Sequence, residues 1–122
     1  MANAINWFEI PATNLGRAKD FYSKVFSTEM TEQEILGIKM AFFNAEDNGV
    51  SGAICAGEGY EPSTKGTLPY LNGGEDLDKY LSRVGDAGGE VIMPKTKVSE
   101  EVGFVAMFLD SEGNRIALHS FG

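Results

Sequence analysis

The stretch Gly103-Phe-Val-Ala-Met-Phe-Leu-Asp-Ser-Glu-Gly-Asn-Arg-Ile-Ala-Leu-His-Ser120 reads as a β-hairpin. Phe104 to Leu109 is an apolar run of strand length. Asp110, Ser111, Glu112, Gly113 and Asn114 are turn formers: glycine accepts positive φ, and Asp and Asn bond their own backbone. Ile116 to His119 resumes a strand. Upstream, Met40-Ala-Phe-Phe-Asn-Ala-Glu46 reads almost like Ala106-Met-Phe-Leu-Asp-Ser-Glu112, which sets Phe42 and Phe108 66 positions apart (108 − 42). The chain therefore carries the same hairpin twice, and that repeat organises the rest.

Working outward, Ala4 to Ala12 is a strand candidate rich in residues that favour a pleated surface, with Pro11 confined to an edge or an end. Thr13 and Asn14 are candidate N-caps. Leu15, Ala18, Phe21, Tyr22, Val25 and Phe26 recur at three- and four-residue spacing, which predicts an amphipathic helix. Glu29 to Ile35 is a polar strand, Ile38 to Asn44 a stronger one, and Asn48-Gly49 a hairpin turn leading into Val50 to Ala56. This first module, about residues 4–56, reads β-α-β-β-β. Gly57 to Gly66 has no periodicity and reads as a linker. Thr67 to Asn72 is then a strand, and Asp76 an N-cap. Leu77, Tyr80, Leu81, Val84 and Ala87 keep helical spacing up to Gly88, which is placed to close the helix. Glu90 to Lys97 and the hairpin complete a second β-α-β-β-β module, about residues 67–120. The fold class is α+β. One helix covers only one face of each four-stranded sheet, so the other face must pair or curl around a ligand.

A chain of 122 residues fits a single domain. It is 43% hydrophobic and 23% charged, as folded globular proteins are. No apolar run approaches the roughly 20 residues that span a bilayer, and the N-terminus lacks a signal-peptide layout. The single cysteine, Cys55, cannot form an internal disulfide, and a reducing cytoplasm is its simplest home. With 10 basic and 18 acidic residues, the net charge of −8 repels nucleic acid, favours solubility and can attract a cationic small molecule.

The residues Ile5-Asn-Trp-Phe-Glu-Ile-Pro-Ala-Thr-Asn-Leu15 with Ala18, Phe21 and Tyr22, and then Phe108-Leu-Asp-Ser-Glu-Gly-Asn-Arg-Ile116, resemble the vicinal oxygen chelate superfamily, the grouping of glyoxalases, bleomycin resistance proteins and extradiol dioxygenases. The resemblance covers nearly the whole chain. It implies one glyoxalase-like domain over 1–122, in which curved mixed sheets from two βαβββ modules surround a shared cavity, often completed by dimerisation. Metal-dependent members present His, Gln or Glu from the first and last strands of each module, and the ion they hold acts as a Lewis acid. Carried over, those positions fall on Trp7, Gly52, Pro69 and Ala117, and none of these side chains can donate a lone pair to a metal. No metal and no cofactor are therefore expected.

Period-two alternation puts Trp7 and Glu9 on one strand face and Phe8 and Ile10 on the helix side. The same parity assigns Phe42 and Phe108 to the helix side and leaves Phe43, Met107 and Leu109 for the cavity. Arg115, Ala117 and His119 share a face. The expected ligand-binding set is Trp7, Glu9, Phe43, Met107, Arg115 and His119. Trp7 offers a stacking surface or fills the space of the missing metal. Glu9 is a receptor for a cation, a general base, or a partner for Arg115. His119 is an acid or base near neutral pH, or an exposed terminal residue. No catalytic residue is assigned, and Glu9 and His119 are the candidates. Cys55 reads as a small core residue. Three functions follow: a metal-free small-molecule-binding protein, expected as a homodimer; a lyase or isomerase working through Glu9 and His119 or through an unrecognised metal; or a sensing or accessory domain.

Overall fold

The structure, a computed structural model, describes residues 3–122. Strand β1 (Trp7–Pro11) leads into helix α1 (Leu15–Phe26), then β2 (Thr31–Ile35), β3 (Ile38–Phe42) and β4 (Ser51–Ala56). The second half runs β5 (Tyr70–Asn72), two single-turn helices α2 (Asp78–Leu81) and α3 (Val84–Ala87), β6 (Glu90–Ser99), β7 (Gly103–Leu109) and β8 (Arg115–Ser120). The sheets repeat one order, β1-β4-β3-β2 and β5-β8-β7-β6, each with a parallel first pair and antiparallel remaining pairs. This is the α+β fold of two four-stranded mixed sheets expected from the sequence. The sheets stay open rather than closing around a shared cavity, which corrects that part of the expectation.

Helix α1 begins where Asn14 Oδ1 accepts from the Arg17 N–H, and ends at Ser27 in left-handed backbone. Its apolar stripe is buried as its spacing requires. The second helical segment departs from its periodicity. Asp76 Oδ1 accepts from the Asp78 N–H, but α2 and α3 are separate turns joined at Ser82-Arg83 before Gly88 turns left-handed. Strand β5 is also shorter than its sequence promised: Thr67 to Pro69 precede it, and the Pro69 carbonyl accepts from Ala117. Pro94 sits in β6, an edge strand with register shifts, where a missing N–H is tolerated.

Both sheets turn one face toward the helices, and these faces share one continuous core. Ile10, Ala41 and Ile54 enter it from the first sheet, Leu71, Ala106 and Leu118 from the second, with α1 between them. Phe21 of α1 packs on Phe108 of β7, and Phe26 on Tyr80 of α2. Polar clasps join the halves as well. The Tyr22 hydroxyl, fully buried, donates to Asp110 Oδ2 at 2.7 Å. Glu112 reaches from the β7–β8 turn to the start of α1, where Oε1 accepts from the backbone N–H of Thr13 and Asn14, both at 2.9 Å, and Oε2 accepts from Arg17 Nε at 2.6 Å. Burial opposes that charge, yet Arg17, Asn14 and Thr13 hold the carboxyl down to about 2.

The strand registers correct the sequence repeat by one residue. Ile10 pairs with Ile54 and Ala41 with Ile54; in the second sheet Leu71 pairs with Leu118 and Ala106 with Leu118. In that register Phe43, not Phe42, is the counterpart of Phe108, a separation of 65 (108 − 43). A one-residue slip moves each side chain to the other face of the sheet. Phe43 accordingly packs on Phe8, Tyr22 and Phe26 on the helix side, where Phe42 had been expected, and Phe42 takes the open face beside Trp7. The same slip affects Gly52. The residue opposite Ala117 is Ala53, and Gly52 faces the helix side, where a Cβ would lie 2.4 Å from the Phe8 carbonyl and 2.5 Å from its ring.

Candidate functional site

The face of the first sheet turned away from the helices is built from alternate residues of three strands. Trp7 and Glu9 come from β1, Ala53 and Cys55 from β4, and Met40 and Phe42 from β3. The indole of Trp7 is 46% exposed and meets the Phe42 ring at 6.0 Å between centroids, tilted by 55°. Two residues along β1, Glu9 Oε1 accepts from the Tyr60 hydroxyl at 2.6 Å. Tyr60 belongs to the linker between the sheets, so the linker crosses onto this face. The hydrogen bond to Glu9 first, and partial burial next, push the Tyr60 phenol up to about 12. Cys55 lies beside both groups and is fully buried; burial first, then the charge of Glu9, push its thiol up to about 12. A thiol held that far from ionisation is a poor nucleophile at neutral pH, in keeping with a structural role.

On the second sheet, Tyr70, Asn72, Val105, Met107, Ala117 and His119 occupy the corresponding open face. Tyr70 is 50% exposed and borders, with His119, Val105 and Phe121, an open cleft of about 630 Å³. The His119 ring stands edge-on to Phe121, and its Nε2 lies 2.5 Å from the Val102 carbonyl, where it donates.

The six residues expected to bind a ligand are thus divided. Trp7 and Glu9 share the first open face, and Met107 and His119 the second. Arg115 lies at the start of β8 and lines a small cleft with Glu9, Glu61 and Lys65, yet among the described residues Glu9 pairs with Tyr60 rather than with Arg115. Phe43 lies apart from both open faces: its ring packs on the helix side and borders a separate cleft with Phe8, Phe26 and Tyr80. Two residues escaped sequence reasoning. Phe42 was assigned to the wrong face, and Tyr60 sits in a segment without periodicity. No local signal ties a linker tyrosine to a glutamate 51 residues away.

The positions where metal-dependent relatives of this fold present ligands do not fit an ion here. Trp7 and Ala117 face outward, Gly52 faces the helices, and Pro69 lies before β5. The corrected register offers Ala53 and Leu68 in place of the last two, and neither carries a side chain that ligates a metal. Among the described residues, no group of three or more His, Cys, Asp and Glu side chains is placed to hold a metal.

Solved structures of the same architecture cover this chain almost end to end. TnmS3, an antibiotic-binding protein from Streptomyces sp. CB03234, is 22% identical, with a TM-score of 0.66 over 97% of this chain and 95% of its own. The fosfomycin resistance protein FosX from Listeria monocytogenes is 20% identical, with a TM-score of 0.64 over 98% and 92%. Glyoxalase I from Zea mays is 16% identical, with a TM-score of 0.69 over 95% of this chain but only 44% of its own. At these identities the likeness is one of fold. No curated protein sequence matches the chain. The sequence model of one family, however, matches residues 4–118. With the paired sheets and their shared order, that match means that the chain belongs to the glyoxalase/bleomycin resistance protein/dioxygenase superfamily.

Proposed function

We propose that this protein is a metal-free small-molecule-binding module that completes its site by pairing with a second copy of itself. The observation that carries the reading is the pair of open sheet faces. Each presents a half-exposed aromatic residue, Trp7 or Tyr70, and among the described residues neither gathers three or more His, Cys, Asp or Glu side chains to hold a metal. Exposed apolar area of this kind, which also includes Val91, Ile92, Val98 and Phe121, marks surfaces that meet a ligand or a partner. Facing the first sheet of one copy with the second sheet of another would enclose a pocket with Trp7 and Glu9 on one wall and Met107 and His119 on the other. The relatives named as antibiotic-binding and as fosfomycin resistance proteins support a small molecule as the occupant. In one chain Glu9 and His119 lie on different sheets, so acid–base chemistry shared between them would itself need the second copy. The free, buried Cys55 fits a reducing compartment such as the cytoplasm.

Native mass spectrometry of the purified protein tests all of this at once. The expected species has twice the 13.2 kDa mass of the chain, carries no metal, and retains or accepts a small organic molecule. A monomer at micromolar concentration, or one divalent metal per chain that survives dialysis, would overturn the reading.

A further inference from the structure

We propose that the open face of the first sheet recognises an aromatic organic cation, with the ammonium on Glu9 and the ring against Trp7 and Phe42, and that the Tyr60 hydroxyl marks where the ammonium sits. This rests on reading that face as a ligand surface, and it goes further by naming the class of ligand. Trp7 and Phe42 form a two-sided aromatic wall, and aromatic faces attract cations and other rings. Glu9, two residues along the same strand, puts a carboxylate on the same face. Oε1 accepts from the Tyr60 hydroxyl at 2.6 Å, and the buried Cys55 thiol is the other group beside the carboxylate, so Tyr60 is the partner an incoming ligand would displace. The charged groups that share its neighbouring cleft are Glu61, Lys65 and Arg115, so with Glu9 that cleft is balanced, two acidic against two basic. The chain as a whole, at −8, draws cations toward it.

The source of the Tyr60 contact matters. It comes from the linker and not from the sheet. The linker backbone is held in a turn by the Tyr60 N–H donating to the Gly57 carbonyl at 3.1 Å, with Gly59 at φ 92°, and the Ser63 N–H donates to Asn114 Oδ1 at 3.0 Å, so only the side chain has to swing. The phenol can therefore leave Glu9 without disturbing a strand. An incoming ammonium replaces a bond from an uncharged hydroxyl with one in which both partners are charged, which favours the exchange.

The Trp7 emission has a single source and reads the exchange directly. Benzylammonium and benzyl alcohol, nearly the same in shape and differing in charge, serve as probes. Saturable quenching by benzylammonium is expected at concentrations about tenfold or more below those for benzyl alcohol. Glu9→Gln should erase that preference. Tyr60→Phe should tighten benzylammonium binding about twofold or more, because no hydroxyl has to be displaced. Equal binding of the two probes, or a preference that survives Glu9→Gln, would overturn the cation assignment while leaving small-molecule binding intact. Weaker binding by Tyr60→Phe would overturn the role given to Tyr60. If neither probe alters the emission, the ligand surface and the cation assignment both fall.

Discussion

Where β4 carries Cys55, β8 carries His119, and the two positions share a register: Cys55 lies opposite Met40 and beside Pro11, His119 opposite Val105 and beside Asn72. One is sealed beneath a linker tyrosine and its thiol resists ionisation. The other borders an open cleft and packs edge-on against Phe121. The same contrast recurs at Glu9 against Tyr70 and at Phe42 against Met107. On the helix sides three central counterparts agree instead, Ile10 with Leu71, Ile54 with Leu118 and Ala41 with Ala106, while Gly52 stands against Ile116. The duplicated backbones keep matched residues at the centre of the shared core and diverge where each sheet faces outward. Function in such a molecule belongs on the faces that differ.

The largest effect should come from substitutions that test the corrected register. Phe108 is fully buried against Phe21, so Phe108→Ala should cost about 3–5 kcal/mol. Phe42 is half-buried on the open face, so Phe42→Ala should cost less than about 1.5 kcal/mol. Denaturant titrations of both variants decide the matter. Equal losses would restore Phe42 as the counterpart of Phe108 and undo the comparison of the faces.

Glu112 comes next, because the clasp it makes exists in one half only. Its side chain is inaccessible to solvent, and its loss strands the N–H groups of Thr13 and Asn14. Glu112→Gln should cost about 2–4 kcal/mol at neutral pH. The pH dependence has a definite sign. The folded carboxyl titrates at about 2, below its ordinary 4.5, so its contribution is complete above pH 4.5 and is lost as pH falls toward 2. Between those limits the wild-type stability curve should fall more steeply than that of Glu112→Gln. Parallel acid melts would show that Glu112 is not the titrating clasp.

These two tests also separate what could be read in the sequence from what could not. Helix α1, the succession of strands along the chain and the turn at Asp110 to Asn114 were legible because each is written in local periodicity or turn chemistry. The register of the repeat was not: Phe42-Phe43 offers two adjacent rings, and only the pairing of Ala41 with Ile54 tells which one faces the helices. The long second helix was over-read, since Leu77 to Ala87 keeps its stripe across a segment that folds as two turns. Trp7 and Glu9 were placed on their shared face by alternation alone. Tyr60 could not be, because a linker contact depends on tertiary structure.

Gly52 gives a smaller effect. Its counterpart in the second half is Ile116, a large core residue, so the two last strands differ most at this position. The added methyl of Gly52→Ala would meet the carbonyl and ring of Phe8, and such overpacking should cost about 1–3 kcal/mol by calorimetry. A neutral result would mean that Phe8 yields readily and that β1 is less firmly set against β4 than its register implies.

The smallest effect on stability, and the most direct test of how the two outward faces differ, concerns Cys55. Cys55→Ala removes one sulfur from a site covered by Tyr60 and Glu9, and little of the shared core depends on it, so the melting temperature should barely move. The thiol's reactivity is more informative. With the thiol pushed up to about 12, the thiolate fraction at pH 8 is on the order of one in ten thousand, and burial slows attack further. Ellman's reagent should therefore react with folded protein far more slowly than with protein unfolded in guanidinium. Tyr60→Phe frees Glu9 and loosens the linker over the sulfur, so labelling should quicken while the fold remains. Fast labelling of the wild type would mean that the linker does not rest on this face in solution. The first sheet would then be as open as the second, and the contrast between Cys55 and His119 would reduce to a difference in side chains alone.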